Sequence, residues 1–180
     1  MQVQPTQQGD IASRTTSEAV IPSVRGEFYN YTAVFTPARP LAYLMKCKAN
    51  KDRPLHFAED HVDELDLVVV FENSVRLLSP NTPPAIELLG DLVTRENLRN
   101  TWIAPVEITP EVFNLIRQQK DRAALKLICR ASASISRASY ALLQQGVIVA
   151  VSTESRKYGL LHVKEVSPAS VKIDACHILL

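Results

Sequence analysis

Hydrophobic and polar positions alternate in several short runs along the chain, which is typical of half-buried β-strands. The run "EFYNYTAVF" at Glu27–Phe35 predicts a strand that ends at "TPARP". Leu41–Lys48 could form a short helix or another strand. Val68–Val70 is apolar on both faces and therefore predicts a central strand. Thr101–Ile108 predicts an edge or bulged strand, because Pro105 cannot donate a ladder hydrogen bond.

The C-terminal third predicts further strands. Two short apolar runs predict strands. They are "ALKLICR" at Ala124–Arg130, which ends at a charged residue, and "VIVAV" at Val147–Val151, which is rich in β-branched residues. "YGLLHVKEVS" and "SVKIDACHILL" predict a hairpin that turns at Pro168 and Ala169. We expect both halves of this hairpin to be strands.

A recurring pattern predicts three short helices. Three hydroxyl residues that could cap a helix are spaced by 27 positions: Thr82, Thr109 and Ser136. The third helix would end at Gly146, with Leu142 and Leu143 packed against a sheet. The spacing indicates either a duplicated unit or a chance alignment of amphipathic helices.

Composition favours a folded domain with one extra arm. A hydrophobic content of 46% is enough for a core, and 180 residues suit one domain better than two. We predict a single α+β domain over residues 26–180, with a mixed, barrel-like sheet and short helices. Residues 1–25 are rich in Gln, Ser and Thr and poor in large apolar side chains, which indicates an arm that is flexible or held by a partner.

Charge and cysteine content limit the partners and the cellular compartment that the sequence favours. A formal charge of +1 provides no global field for nucleic acid or an anionic membrane. The apolar run Leu67–Phe71 is far shorter than the roughly 20 residues of a membrane-spanning helix, so we expect a soluble protein. Cys47, Cys129 and Cys176 are odd in number and far apart, which predicts reduced, structural thiols and a cytoplasmic location.

The most polar segment, "HFAEDHVDELD" at His56–Asp66, contains two histidines and five carboxylates. His56 and His61 are five residues apart, which matches neither the helical i, i+4 pair nor a common zinc spacing. We therefore favour a solvated acidic turn without a metal. An enzyme that uses these histidines and carboxylates is the alternative.

Other reactive residues have structural interpretations. Cys176 and His177 are adjacent on a predicted strand, so their side chains should point to opposite faces and cannot form a nucleophile and base pair. His162 could face His177 across the hairpin, which would at most make a pH-sensitive pair. Cys129 is expected to be a small buried hydrophobe. The sequence contains no glycine-rich phosphate loop, so we predict no nucleotide or other cofactor.

A small basic surface is the best candidate for binding. "RASASISR" with nearby cations could bind phosphate or an acidic peptide, and the single tryptophan could anchor an interface or fill the core. The candidate interaction residues are Trp102, Arg122, Lys126, Arg130 and Arg137. No aromatic residues are interleaved with these cations, which disfavours a nucleic-acid partner.

The stretch "SYALLQQGVIVAVSTESRKYGLLHVKEVSPASVKIDACHILL" at Ser139–Leu180 resembles the end of the N-terminal domain of the ubiquitin fusion degradation protein family. "ITPEVFNLI" at Ile108–Ile116 is similar to that family's proline-started helix, and "FYNYTAVF" to its opening strand. This chain has Val147 after Gly146, where the family usually has Asp. The resemblance implies a double-psi barrel and a role as an adaptor of the Cdc48/p97 ATPase, an AAA ATPase.

We therefore expect a non-enzymatic protein-binding adaptor, with ubiquitin or an AAA ATPase as the partners that the resemblance implies. A structural subunit of a larger assembly, with residues 1–25 running along neighbouring subunits, is the second hypothesis. The enzyme described above is the third, and it requires the two histidines to meet in a pocket.

Overall fold

The computed structural model describes residues 26–44, 52–93 and 97–180. The predicted arm at 1–25 and the second half of the Leu41–Lys48 segment, which includes Cys47, lie outside these ranges. Among the described residues the strands are β1 (Glu27–Phe35), β2 (Leu41–Ala42), β3 (Asp52–Arg53), β4 (Leu67–Phe71), β5 (Val75–Leu78), β6 (Thr101–Val106), β7 (Tyr140–Leu142), β8 (Ile148–Thr153), β9 (Lys157–Val166) and β10 (Val171–Leu179). The α-helices are α1 (Ala58–His61), α2 (Pro83–Leu89), α3 (Pro110–Gln119) and α4 (Arg122–Ile135).

The strands form two five-stranded sheets. Sheet 1 has the order β1-β10-β9-β8-β6, and sheet 2 has the order β3-β2-β4-β5-β7. The predicted strand at Glu27–Phe35 and the hairpin around Pro168 are confirmed, and Val68–Val70 lies in the central strand of sheet 2. β6 is an edge strand, as Pro105 predicted, because within the described ranges its one ladder partner is β8.

The α+β class is confirmed, but the described strands are not closed into a barrel. All of their ladders are antiparallel, so the sheets are not mixed. Between the edge strands β6 and β7, the sheets are joined by single hydrogen bonds rather than by a ladder. Ile103 N donates to Ala138 O at 2.9 Å, and Thr101 N donates to Ser79 Oγ at 2.9 Å.

The core lies between the two sheets, and helices cover both outer faces. Phe35 and Ile173 from sheet 1 pack with Val69 and Leu77 from sheet 2 in one buried cluster. On the outer face of sheet 1, a second cluster includes side chains from α3 and α4. A third cluster covers sheet 2 with α1, α2 and the turns around them. The described residues therefore form four layers in the order α/β/β/α.

Two of the predicted helix starts are confirmed, and one predicted strand is a helix. α2 and α3 begin with prolines after Thr82 and Thr109, and Thr109 Oγ1 accepts a hydrogen bond from Val112 N at 3.4 Å. The strand prediction for Ala124–Arg130 is wrong because this segment lies inside α4. Asp121 caps that helix by accepting a hydrogen bond from Ala124 N at 2.9 Å.

The third predicted helix is wrong, and so is the 27-residue repeat. Ser136 follows the end of α4, and Tyr140–Leu142 forms β7, which pairs with β5. Leu143 is buried as expected, whereas Leu142 is 42% exposed. Gly146 has a φ of 86°, which suits glycine, but it precedes β8 in a turn between strands.

A buried ion pair links the two sheets. Asp66 lies just before β4 in sheet 2 and is 0% exposed, so it does not belong to a solvated acidic turn as the sequence predicted. Lys157 Nζ, at the start of β9 in sheet 1, donates to Asp66 Oδ2 at 2.8 Å. Leu44 N donates to the same oxygen at 2.7 Å, and Thr101 Oγ1 donates to Asp66 O at 2.8 Å. The sheets are therefore joined by charge as well as by apolar packing.

In the three described ranges, no helix is both long enough and apolar enough to cross a bilayer.

Candidate functional site

A groove of about 690 Å³ lies between the C-terminal half of α4 and the ends of β6, β8 and β9 in sheet 1. Its lining includes two aromatic residues, Trp102 and Tyr158, and two cations, Arg130 and Arg137. We call this cavity the α4 groove. Its volume lies within the range of about 300 to 1,000 Å³ that is typical of ligand pockets.

Strand register builds the floor of the α4 groove. Trp102 on β6 is the ladder partner of Ser152 on β8, and Ser152 is in turn the partner of Tyr158 on β9. Residues paired in this way point to the same face of a sheet. The floor is therefore a small hydroxyl residue with an aromatic residue on either side.

Helix α4 forms the other wall, and its packing decides which side chains reach the groove. Leu125 and Cys129 are buried against sheet 1, four residues apart on one face of the helix. Cys129 Sγ donates to Gly159 O at 3.2 Å, and Ser152 Oγ donates to Cys129 O at 3.1 Å. These contacts hold the helix on the sheet while Arg130 stays exposed at the groove.

The positive charge of the α4 groove is not neutralised within the described part of the chain. Arg130 and Arg137 are both exposed, and neither takes part in the ion pairs of the described residues. An acidic side chain nearby is Glu154, whose Oε2 accepts a hydrogen bond from Asn100 N at 3.4 Å at the rim. The groove can therefore attract a negatively charged group.

The structure brings together three of the five residues that the sequence singled out. Trp102, Arg130 and Arg137 line the same groove, whereas Arg122 and Lys126 lie earlier on α4 and do not line it. Tyr158 was not among the sequence candidates. Its position depends on the register of β8 and β9, for which the local sequence carries no signal.

The polar segment at His56–Asp66 folds into short helical turns around α1. The ring of His61 stacks on Phe57, with ring centroids 4.4 Å apart, while His56 is exposed. Across residues 26–44, 52–93 and 97–180, no three His, Cys, Asp or Glu side chains are grouped closely enough to hold a metal ion. The two histidines do not line the α4 groove.

The predicted contact between His162 and His177 is wrong. The register pairs His177 with Gly159 and His162 with Asp174, and the strand alternation places the two histidines on opposite faces of sheet 1. His162 makes an edge contact with Phe113, with centroids 5.3 Å apart, and burial lowers its pKa.

The two described thiols are buried on the helix side of sheet 1. Cys176 packs in the cluster under α3 and α4, on the opposite face from His177, as the strand alternation predicted. Cys129 packs in the same cluster, which confirms its interpretation as a small buried hydrophobe. Burial raises the pKa of each thiol to about 12, so neither is a ready nucleophile at neutral pH.

Comparison with known proteins identifies a similar fold. No protein-family model and no curated protein matches the chain. A solved structure of a DUF4466 family protein from Parabacteroides merdae is similar, with a TM-score of 0.57 and 13% sequence identity. The match covers 86% of this chain and 54% of that protein, so this chain spans about half of its length. At this identity the likeness concerns the fold alone.

Proposed function

We propose that this protein is a non-enzymatic protein-binding adaptor whose α4 groove binds an acidic, extended segment of a partner protein. The observation that carries the proposal is the convergence of Trp102, Arg130 and Arg137 on one groove, where neither arginine has an acidic partner among the described residues. Tryptophan and arginine are the residue types that most often dominate the binding energy of protein interfaces.

The lining of the groove favours a peptide over a polyanion such as RNA. α4 ends at Ile135, beside groove residue Ser134, and the carbonyl end of a helix repels bare negative charge. An acidic peptide carries its charge on a few side chains, which can pair with Arg130 and Arg137, while its backbone has no net charge. The formal charge of +1 also provides little long-range attraction for a nucleic acid.

Ubiquitin and the Cdc48/p97 ATPase remain proposed partners, on the resemblance of Ser139–Leu180 to the ubiquitin fusion degradation protein family. The structural-subunit hypothesis also has one supporting observation. Leu127 and Ile135 on α4 are both strongly exposed apolar side chains, and such residues often lie at subunit interfaces. A concentration-dependent dimer or larger assembly that is lost in Leu127→Ser and Ile135→Ser would favour the subunit hypothesis.

A titration with short peptides tests the proposed binding. Trp102 is the only tryptophan of the chain and lines the groove, so its fluorescence reports occupancy directly. We expect a saturable change with a Glu-rich peptide and none with a Lys-rich peptide of the same length. Arg130→Ala and Arg137→Ala should each weaken binding by about tenfold, because a charge-assisted hydrogen bond is lost.

Two variants serve as controls. Arg122→Ala removes an exposed cation from the same helix outside the groove and should change the affinity less than about twofold. Glu154→Gln removes negative charge at the rim and should tighten binding. Equal losses in Arg122→Ala and Arg130→Ala would show that binding is nonspecific, and the absence of any saturable change would refute the proposal. Ubiquitin added in place of the peptide tests the partner that the resemblance implies.

A further inference from the structure

We propose that the side of α4 that points away from sheet 1 binds an amphipathic helix of a partner protein, with carboxylates along one flank of that helix. Leu127, Ala131 and Ile135 form this surface, which we call the α4 outer face. They are spaced by four residues and are all exposed, so they follow one side of the helix. The proposal adds a second interaction surface and does not depend on the peptide binding proposed for the α4 groove.

The α4 outer face is apolar and uncovered in the described part of the chain. Ile135 is 87% exposed and Leu127 is 70% exposed, which makes them the two most exposed large apolar side chains of the described residues. The side chains that hold α4 on sheet 1, Leu125 and Cys129, lie on the side of the helix that faces the sheet. Leu127 and Ile135 are therefore not needed to pack the helix.

An apolar groove of about 300 Å³ borders the α4 outer face and extends it. The groove lies between α4 and β6, and Ala131 and Ile135 line it together with Pro105. We call it the β6 groove. A continuous exposed apolar surface of this kind marks an interaction site more strongly than scattered apolar residues do.

The open edge of β6 favours a helix over a strand as the occupant. Ile103 N points away from β8 and donates to Ala138 O at 2.9 Å, so the odd-numbered residues of β6 face the open edge. The next such residue is Pro105, which has no N–H. An extended segment would lack a ladder donor there, whereas a helix satisfies its backbone hydrogen bonds internally.

Charge on the two sides of the α4 outer face specifies the partner. Arg122, Lys126 and Arg130 follow one side at the same spacing of four residues, and none takes part in the ion pairs of the described residues. Asp121, beside them, accepts the capping hydrogen bond of α4. On the other side, the exposed Glu107 lines the β6 groove. A helix with carboxylates on one flank and a cation on the other complements this pattern, which sets its orientation.

Two other occupants fit the surface less well. A second copy of α4 cannot supply the carboxylates, because Arg122–Ile135 contains three cations and no acidic residue. An anionic membrane would be repelled by Glu107 at the groove, and the formal charge of +1 gives it little long-range attraction. An acidic amphipathic helix matches both the apolar and the charged parts of the surface.

The probe is a labelled peptide of about 20 residues, long enough to form a helix, with leucines on one face and glutamates beside them. A second peptide has Gln in place of every Glu. Binding to the full chain is measured by the fluorescence anisotropy of the label, with an excess of the unlabelled Glu-rich extended peptide present to keep the α4 groove filled. The Glu peptide should bind about tenfold more tightly than the Gln peptide.

Two pairs of variants locate the binding. Leu127→Ser should weaken binding of the Glu peptide by about tenfold, whereas Leu115→Ser, which changes a 51% exposed leucine on α3, should change it less than about twofold. Lys126→Ala should weaken binding by about threefold, and Lys164→Ala, which removes an exposed cation from β9, should leave it unchanged. Urea unfolding verifies that each variant keeps the fold.

The outcomes separate this proposal from its alternatives. Losses in Leu127→Ser and Lys126→Ala, with binding kept in their controls, support it. Equal binding of the Glu and Gln peptides overturns it, and so does the absence of saturable binding. Self-association in the ultracentrifuge, or sedimentation with phosphatidylserine vesicles, would also overturn it if Leu127→Ser abolished the effect, because the face would then belong to a second copy or to a membrane.

The proposed function is judged by a separate measurement. Leu127 does not line the α4 groove, so Leu127→Ser should leave the affinity for the Glu-rich extended peptide unchanged. A loss of extended-peptide binding in this variant would show that the two surfaces are one site and would overturn the proposal of a second surface.

Discussion

Replacing Lys157 with Met would leave the Asp66 carboxylate between the two sheets without its cation. Asp66 is 0% exposed, and its remaining side-chain hydrogen bond in the described residues comes from Leu44 N. Lys157 is 14% exposed, so Met can occupy much of the volume of the lysine stem. The variant therefore removes the charge with little loss of packing.

The expected cost follows from the burial of the pair. Removing one partner of a buried ion pair typically costs about 3 to 5 kcal/mol, because the other charge is left uncompensated. With a urea m-value of about 2 kcal/mol/M, the unfolding midpoint should fall by about 1.5 to 2.5 M. Lys172 pairs with Glu165 on the surface, where the side chains are 44% and 69% exposed. Lys172→Met should therefore cost less than about 1 kcal/mol.

The deficit of Lys157→Met should depend on pH. Burial raises the pKa of Asp66 above its ordinary value of 3.8, while Lys157 and Leu44 N oppose that rise. Because the native state then holds its proton to higher pH than the unfolded state, the Asp66 contribution is fully present below pH 3.8 and is lost as pH rises through the raised pKa. Without Lys157 the pKa rises further, so the deficit should be larger at pH 8 than at pH 5.

The assay is urea unfolding, followed by the fluorescence of Trp102, at pH 5 and pH 8. The double variant Asp66→Asn/Lys157→Met removes both charges and should be more stable than Lys157→Met at pH 8. Lys172→Met is the surface control. A loss below about 1 kcal/mol in Lys157→Met, or a loss that is no larger at pH 8 than at pH 5, would refute the reasoning.

Two further predictions concern the core. Leu143→Ala should cost about 2 to 5 kcal/mol, because Leu143 is buried, and Leu142→Ala less than about 1 kcal/mol, because Leu142 is partly exposed; equal urea midpoints for the two variants would contradict the observed strand β7. Cys129 and Cys176 are buried with raised pKa values, so a thiol reagent such as DTNB should label both only after unfolding. Rapid labelling of either thiol in the native protein would show that it is accessible.

Local sequence patterns were sufficient to predict the elements whose own residues determine their structure. From residue 30 to residue 35, β1 alternates between exposed positions and positions that are buried or half-buried, and the turn residues Pro168 and Ala169 separate two β-rich segments. Pro105 also identified an edge strand correctly, because the missing N–H is a local property. In each case the chemistry of a few neighbouring residues decides the outcome.

The wrong predictions arose where the same residues fit both the hydrophobic period of a helix and that of a strand. Ala124–Arg130 is a short apolar run, which periodicity alone cannot assign to a strand or a helix. The buried positions Leu125 and Cys129 are four apart, and Asp121 supplies a cap, so the helical signal lay partly outside the run. Tyr140–Leu142 has residues that suit a helix but pairs with β5, because tertiary pairing overrides a weak local preference.

The candidate site was partly predictable. Composition identified Trp102, Arg130 and Arg137, because an isolated tryptophan and a local cluster of cations are visible in any sequence. Ser152 and Tyr158 could not be identified, since their place beside Trp102 depends on the register of three strands. The floor of the α4 groove therefore exists only once the three strands are paired.

The strand that pairs with β1 is synthesised long after β1 itself. In the part of the chain that the structure describes, β1 is an edge strand and pairs with β10, with Glu27 opposite Leu179 and Phe35 opposite Val171. During translation, the segment that forms β1 must wait until roughly 140 further residues have been added, which takes about 7 to 30 s at 5 to 20 residues per second. An aromatic-rich strand without a partner is prone to pair with other chains. The time for which nascent β1 stays open to such pairing is thus set by the ribosome and not by the speed at which this protein folds.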